Sequence, residues 1–244
     1  MPIINQVVSG GGSAPATQFG INIKGWCGDV DQQSGAIRTD QAVGTLSMPN
    51  LTQIDTRQWY YKFEGSSGLV GTLNLPDLQY VGDEGMSSAF ANTGITGINF
   101  VQPLGLGYSA LERAFQNTPL ASVSLCINQL TDNCLAQTFY DCSSLRYIEL
   151  AIDTTTIIDY IESYGYTIEE GLSIALLSMI DGCTNCAVHM YEDIWQEWIQ
   201  YYDDQGETPP FSTESGWADW LTSIIRNDYN NHHGCSVVFD LSEA

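Results

Sequence analysis

The stretch Leu46-Ser47-Met48-Pro49-Asn50-Leu51-Thr52-Gln53-Ile54 returns 27 residues later as Leu73-Asn74-Leu75-Pro76-Asp77-Leu78-Gln79-Tyr80-Val81, matched at every apolar position and at the proline. The alternating apolar pair recurs as Ile98/Phe100, Val123/Leu125 and Ile148/Leu150, so the pairs begin at 46, 73, 98, 123 and 148 and the later period is 25 residues. Between the pairs an aromatic keeps the same time, at Phe63, Phe90, Phe115 and Phe139, with Ser66, Thr93, Thr118 and Cys142 three residues after it. Met86, Ala89 and Phe90 share one helical face, as do Leu111, Ala114 and Phe115, which predicts a short helical turn in each unit, followed by a strand. Such a unit cannot bury its own apolar face, whereas stacked units share a core; the period therefore predicts an α/β repeat solenoid over 46–152.

Around this ladder the chain divides into three further parts. Residues 1–20 hold an apolar strip, Ile3, Ile4, Val7 and Val8, and a linker rich in Gly, Ser, Ala and Pro; this pattern predicts a peptide that anchors elsewhere. Residues 21–45 are expected to form a leading strand or N-terminal cap. In 153–244 the apolar period turns helical, with a capping-box pattern at Thr167 and Glu170, and the repeat motif returns at Ile180-Asp181-Gly182-Cys183. This part is expected to be degenerate repeats with helical insertions and a closing strand at 236–241, together a helical C-terminal cap.

Composition narrows the function. The chain has 244 residues with 29 acidic against 7 basic side chains, a net charge of −22, and 43% hydrophobic residues, enough for a core. Nucleic acid and anionic membrane surfaces are excluded as partners, because phosphate binding needs clustered cations. No signal peptide or membrane span is read from the sequence, and seven irregularly spaced cysteines in a chain of this size are expected to stay reduced.

The segment Phe139-Tyr140-Asp141-Cys142-Ser143-Ser144-Leu145-Arg146-Tyr147-Ile148-Glu149-Leu150 resembles the BspA-type leucine-rich repeat, and the units at 89–100 and 114–125 fit the same pattern. The resemblance implies a leucine-rich-repeat solenoid with a short helix and a strand per unit. A narrower resemblance covers both ends: Pro2 to Ser13 with its Gly-rich run, Phe19-Gly20, Gly28-Asp29-Val30-Asp31, and Gly234 to Leu241 are similar to gut-bacteriophage virion proteins. That likeness implies a non-enzymatic virion structural protein located in the particle: a fibre, decoration or host-attachment component. Its partners would be other virion proteins, met through the N-terminal peptide, and a host surface glycan or protein. A homo-oligomer, guessed to be a trimer, follows from the symmetry of such assemblies. The alternative is a bacterial cell-surface adhesin module that binds glycan or protein.

Candidate sites divide between chemistry and packing. Cys183-x-x-Cys186, with His189, His232 and Cys235, has ligand types and a spacing that suit tetrahedral zinc. The same cysteines fall on core positions of the repeat, so packing is the preferred reading and no metal or other cofactor is expected. Asp29-Val30-Asp31 through Gly35 opens like a calcium loop but lacks its sixth-position glycine and closing glutamate. No nucleophile elbow, phosphate loop or zinc-protease motif is present, and the 29 carboxylates are accounted for by solvated turns and helix faces, so no enzyme is expected. Trp195, Trp198, Trp217 and Trp220 would suit sugar stacking, although their helical spacing equally describes a buried stripe.

Overall fold

The computed structural model describes residues 29–30, 37–38, 42, 44–227 and 233–242. In chain order the elements are β1 (Asp29–Val30), β2 (Ile37–Arg38), β3 (Gln53–Ile54), β4 (Val70–Asn74), β5 (Tyr80–Val81), β6 (Gly94–Asn99), β7 (Leu104–Leu106), β8 (Ser122–Gln129) and β9 (Tyr147–Ile152). There follow α1 (Thr154–Tyr164), α2 (Ile168–Ala175), β10 (Ala187–Tyr191), α3 (Ile194–Gln205), α4 (Glu214–Arg226) and β11 (Ser236–Leu241). Seven strands form one sheet in the order β11-β10-β9-β8-β7-β5-β3, every neighbouring pair parallel. β4 pairs in parallel with β6 in a second sheet, and β1 pairs antiparallel with β2.

This strand order corrects the expected architecture. The chain forms an α/β arrangement around a seven-stranded parallel sheet, not a leucine-rich-repeat solenoid with a helix in every unit. All four described helices lie after residue 153, and the segments expected to be short helices are turns. Nor is the C-terminal region a cap laid over an end: β10 and β11 enter the same sheet as β9.

The turns explain why the helical reading failed. Backbone with positive φ recurs every fourth residue, at Arg57, Tyr61 and Gly65, then Glu84, Ser88 and Asn92, Ser109, Arg113 and Asn117, and Asn133, Gln137 and Asp141. Left-handed residues break the i to i−4 bonding of an α-helix. Alternate amides are used in two ways: Gln58, Tyr60 and Lys62 N–H close turns on the carbonyls three residues back, while Arg57, Trp59, Tyr61 and Phe63 N–H donate to Asp83, Gly85, Ser87 and Ala89 in the next unit. The pattern repeats from 84–92 to 108–116, from 109–117 to 132–140, and from 135–141 to 175–181. A ribbon that turns every four residues brings positions four apart to one side, which mimics helical periodicity in the sequence.

Proline sets where the strands break. Pro76 follows β4 and Pro103 follows β6, each separating a first strand from a second short one, since proline has no amide to donate to a ladder. No proline interrupts 122–129, so β8 runs on for eight residues and pairs with β9 through its first part and with β7 through its last.

The core runs without a break from Ala42 to Phe239. Leu46, Phe63, Leu73, Leu75, Phe90, Phe115, Val123, Leu125, Phe139, Ile148 and Leu150 are buried in it, with Met48, Ile98 and Phe100 half-buried against it. Phe63, Phe90, Phe115 and Phe139 stack in a column with centroid separations of 5.2, 5.6 and 6.0 Å and interplanar angles of 12°, 6° and 16°. Beside the column the Thr93 and Thr118 hydroxyls close their own turns on the Phe90 and Phe115 carbonyls, both at 2.8 Å, whereas Cys142 Sγ donates to Phe115 O of the preceding unit at 3.1 Å. The helices end as their sequences dictate. Thr167 and Glu170 form the reciprocal capping box of α2, and α1, α3 and α4 stop at Gly165, Gly206 and Asn227 in left-handed conformation.

Candidate functional site

Parallel sheets usually have both faces covered. Here the inward side chains of β8 to β11 join the core, and the outward ones remain in contact with solvent. Ladder register sets them in rows: Ser122, Tyr147, Ala187 and Ser236 form one, and Ser124, Glu149, His189 and Val238 the next. Ser122, Ser124, Cys126, Tyr147, Ser236 and Asp240 are exposed; Glu149, Ala151, Ala187, His189 and Val238 are half-buried. Their neighbours in the chain, such as Val123, Ile148, Val188 and Val237, are buried, as a two-residue period requires.

At the centre of this face His189 is held on two sides. Its ring lies against Tyr147 with centroids 4.4 Å apart, and its Nδ1 is 2.7 Å from Asp240 Oδ1. With Nδ1–H donated to the carboxylate, Nε2 is the nitrogen left to meet a ligand. Glu149 sits beside His189 in the adjacent strand. Partial burial, and after it the Asp153 and Glu149 carboxylates, push the Cys126 thiol up. Tyr80 extends the aromatic surface over β7, where Gly105 leaves room: a Cβ there would come within 3.1 Å of the Tyr80 ring.

The face ends at a crevice of about 320 Å³ lined by Asp153, Tyr191, Glu192, Asp193, Glu197 and Ser242, among others. It lies at the carboxyl ends of β9, β10 and β11, where parallel α/β sheets present their loops and helix starts. Asp153 caps α1 by accepting the Thr156 N–H at 2.7 Å, and Thr154 donates to Glu197 across the opening.

The tryptophans expected to suit sugar do not form a platform. Trp198 and Trp217 are fully buried, edge to face at 5.0 Å, while Trp195 and Trp220 are half-buried against the core. Their spacing put them on the apolar stripes of α3 and α4, and burial of such stripes holds those helices to the sheet. Burial has a cost here: neither the Trp198 nor the Trp217 indole N–H finds an acceptor among the described residues.

The cysteines take packing positions. Cys183, Cys186 and Cys235 are buried on the core side of the sheet, and His189 lies on the outward side. Burial raises the Cys183 thiol and pushes Cys186 up to about 12. Cys183 Sγ instead donates to Phe139 O at 3.3 Å, as Cys142 does one unit earlier to Phe115. Among the described residues no three His, Cys, Asp or Glu side chains are placed to hold a metal ion. His232, the anchor residues Ile3, Ile4, Val7 and Val8, and the calcium-like positions Asp31 and Gly35 lie outside the described residues.

Sequence reading missed the outward face. Strands at 148–150, 187–190 and 236–241 are visible as alternation, but the Tyr147–His189 and His189–Asp240 contacts join residues 42 and 51 positions apart, and only strand register brings them together. Comparison of the chain with family models, with curated proteins and with solved structures finds no match.

Proposed function

We propose that the protein is a non-enzymatic binding and structural component of a bacteriophage particle, a fibre, decoration or host-attachment protein that presents its open sheet face to a partner. The observation that carries this reading is the outward face of β8 to β11: a strip of small residues with Tyr147, Glu149 and the His189–Asp240 contact, backed by a core cross-bonded from unit to unit. Rigid strands suit recognition by surface, because little conformational entropy is lost when a partner docks. The likeness of the two chain ends to gut-phage virion proteins supports the particle. In this reading the apolar strip around Ile3, Ile4, Val7 and Val8 docks on other virion proteins, and a homo-oligomer, a trimer in the simplest case, displays several faces at once.

Removal of residues 1–18 tests the assignment. The shortened protein is expected to remain folded and soluble by circular dichroism and to be missing from particles purified after complementation of a deletion phage. Normal incorporation of the shortened protein would exclude the anchoring role.

A further inference from the structure

We propose that the outward face of β8 to β11 docks an extended, lysine- or arginine-bearing peptide segment of a protein partner. The inference deepens the reading of that face as a binding surface, and it does not depend on membership of a particle.

Charge decides the partner's chemistry. The outward residues of these four strands include Glu149 and Asp240 and contain no lysine or arginine. At its far end the face opens on the crevice carboxylates Asp153, Glu192, Asp193 and Glu197. Arg146, which precedes β9, donates to the Ser143 and Leu145 carbonyls, both at 2.8 Å, and keeps its positive charge at the end of the strand away from the crevice. A cation arriving over Tyr147 meets an aromatic ring already fixed by His189, with Glu149 in the adjoining row.

Size decides the partner's form. Four strands about 4.8 Å apart, of eight, six, five and six residues at about 3.3 Å each, cover roughly 400 Å². A stable globular partner needs about 800 Å² on each side, so the strip matches a segment and not a domain. Alternation on such a segment would set its basic side chains against Glu149, Asp240 and the crevice.

The probe is a fluorescein-labelled decapeptide of alternating lysine and threonine, titrated into the full chain and followed by anisotropy at 50 mM salt. Saturable binding is expected, weakened at least tenfold in the double variant Glu149→Lys with Asp240→Lys. Asp203→Lys with Asp204→Lys, on the exposed end of α3, changes net charge equally and should weaken binding less than threefold. Should the lysine variant fail to fold, Glu149→Gln with Asp240→Asn serves instead, with a loss of several-fold expected. Equal losses in the face and α3 variants would mean that the peptide senses only overall charge, and absence of saturable binding would equally overturn the proposal. Neither result bears on particle incorporation, so failure here is distinguishable from failure of the virion assignment.

Discussion

Ser88 shows at one position what the turn ribbons demand of their residues. It is buried, its φ is 52°, its N–H donates to Glu112 O and its carbonyl accepts from Ala91. An L-residue in this region costs about 1–2 kcal/mol, and glycine removes that cost while retaining both backbone bonds. Ser88→Gly is therefore expected to raise stability by about 0.5–1 kcal/mol, and Ser88→Val to lower it by about 2 kcal/mol or more. Urea denaturation measures both; a glycine variant as destabilised as the valine variant would show that the conformation is not strained. Gly182 is the opposite case, with φ of 82° and space for no Cβ, which would lie 2.0 Å from the Asp141 carboxylate. Nothing in the residue types of Arg57, Glu84 or Gln137 announces left-handed backbone. The neighbouring unit imposes it, and single-residue propensity is silent on neighbours.

At the scale of elements, the ribbons and the phenylalanine column support each other. Phe90 and Phe115 each stack on rings of the units before and after them, and aromatic pairs of this kind contribute about 0.5–1.5 kcal/mol beyond their buried area. Phe115 lies between Phe90 and Phe139 and is wholly buried. Phe115→Ala should cost about 3–5 kcal/mol, the transfer of the ring plus the cavity it leaves. Thermal and urea unfolding check the value, and a loss below about 1 kcal/mol would mean that the column can collapse around the gap. By contrast the bidentate Arg57–Glu84 pair between consecutive ribbons, at 2.7 Å in its shortest contact, contributes at most about 1 kcal/mol, since solvent and salt screen it. The repeat of the aromatic was legible in the sequence because burial selects residue type. The secondary structure between the aromatics was not, because a four-residue turn ribbon and a helix leave the same apolar spacing.

The whole molecule combines a strongly acidic surface with a thiol-rich interior. Burial pushes Cys134 and Cys186 up to about 12 from the ordinary 9.0, and raises Cys142 and Cys183 as well. Thiols that stay protonated in the fold but ionise in the unfolded chain make the unfolded state bind fewer protons, so stability falls as pH rises. The loss begins as pH passes about 9, the unfolded value, and continues toward about 12. The melting temperature is expected to drop between pH 8.5 and 10.5, and to drop less in a Cys134→Ala, Cys186→Ala double variant. Differential scanning calorimetry across that range compares the slopes. Equal slopes would assign the alkaline loss to other groups, such as the buried tyrosines or surface repulsion at a net charge of −22.

Period, core residues and proline breaks were determined by the order of amino acids alone, because each is a local consequence of which side chains avoid water and which backbone groups can donate. The capping box at Thr167 and Glu170 belongs to the same class: its partners are three residues apart. Tertiary structure alone decided that the connecting segments are left-handed ribbons, that Trp198 and Trp217 are packed away, and that Tyr147, Glu149, His189 and Asp240 meet on one open face. The reason is common to all three. Each depends on hydrogen bonds and contacts between segments some 20 to 50 residues apart, which no local pattern encodes.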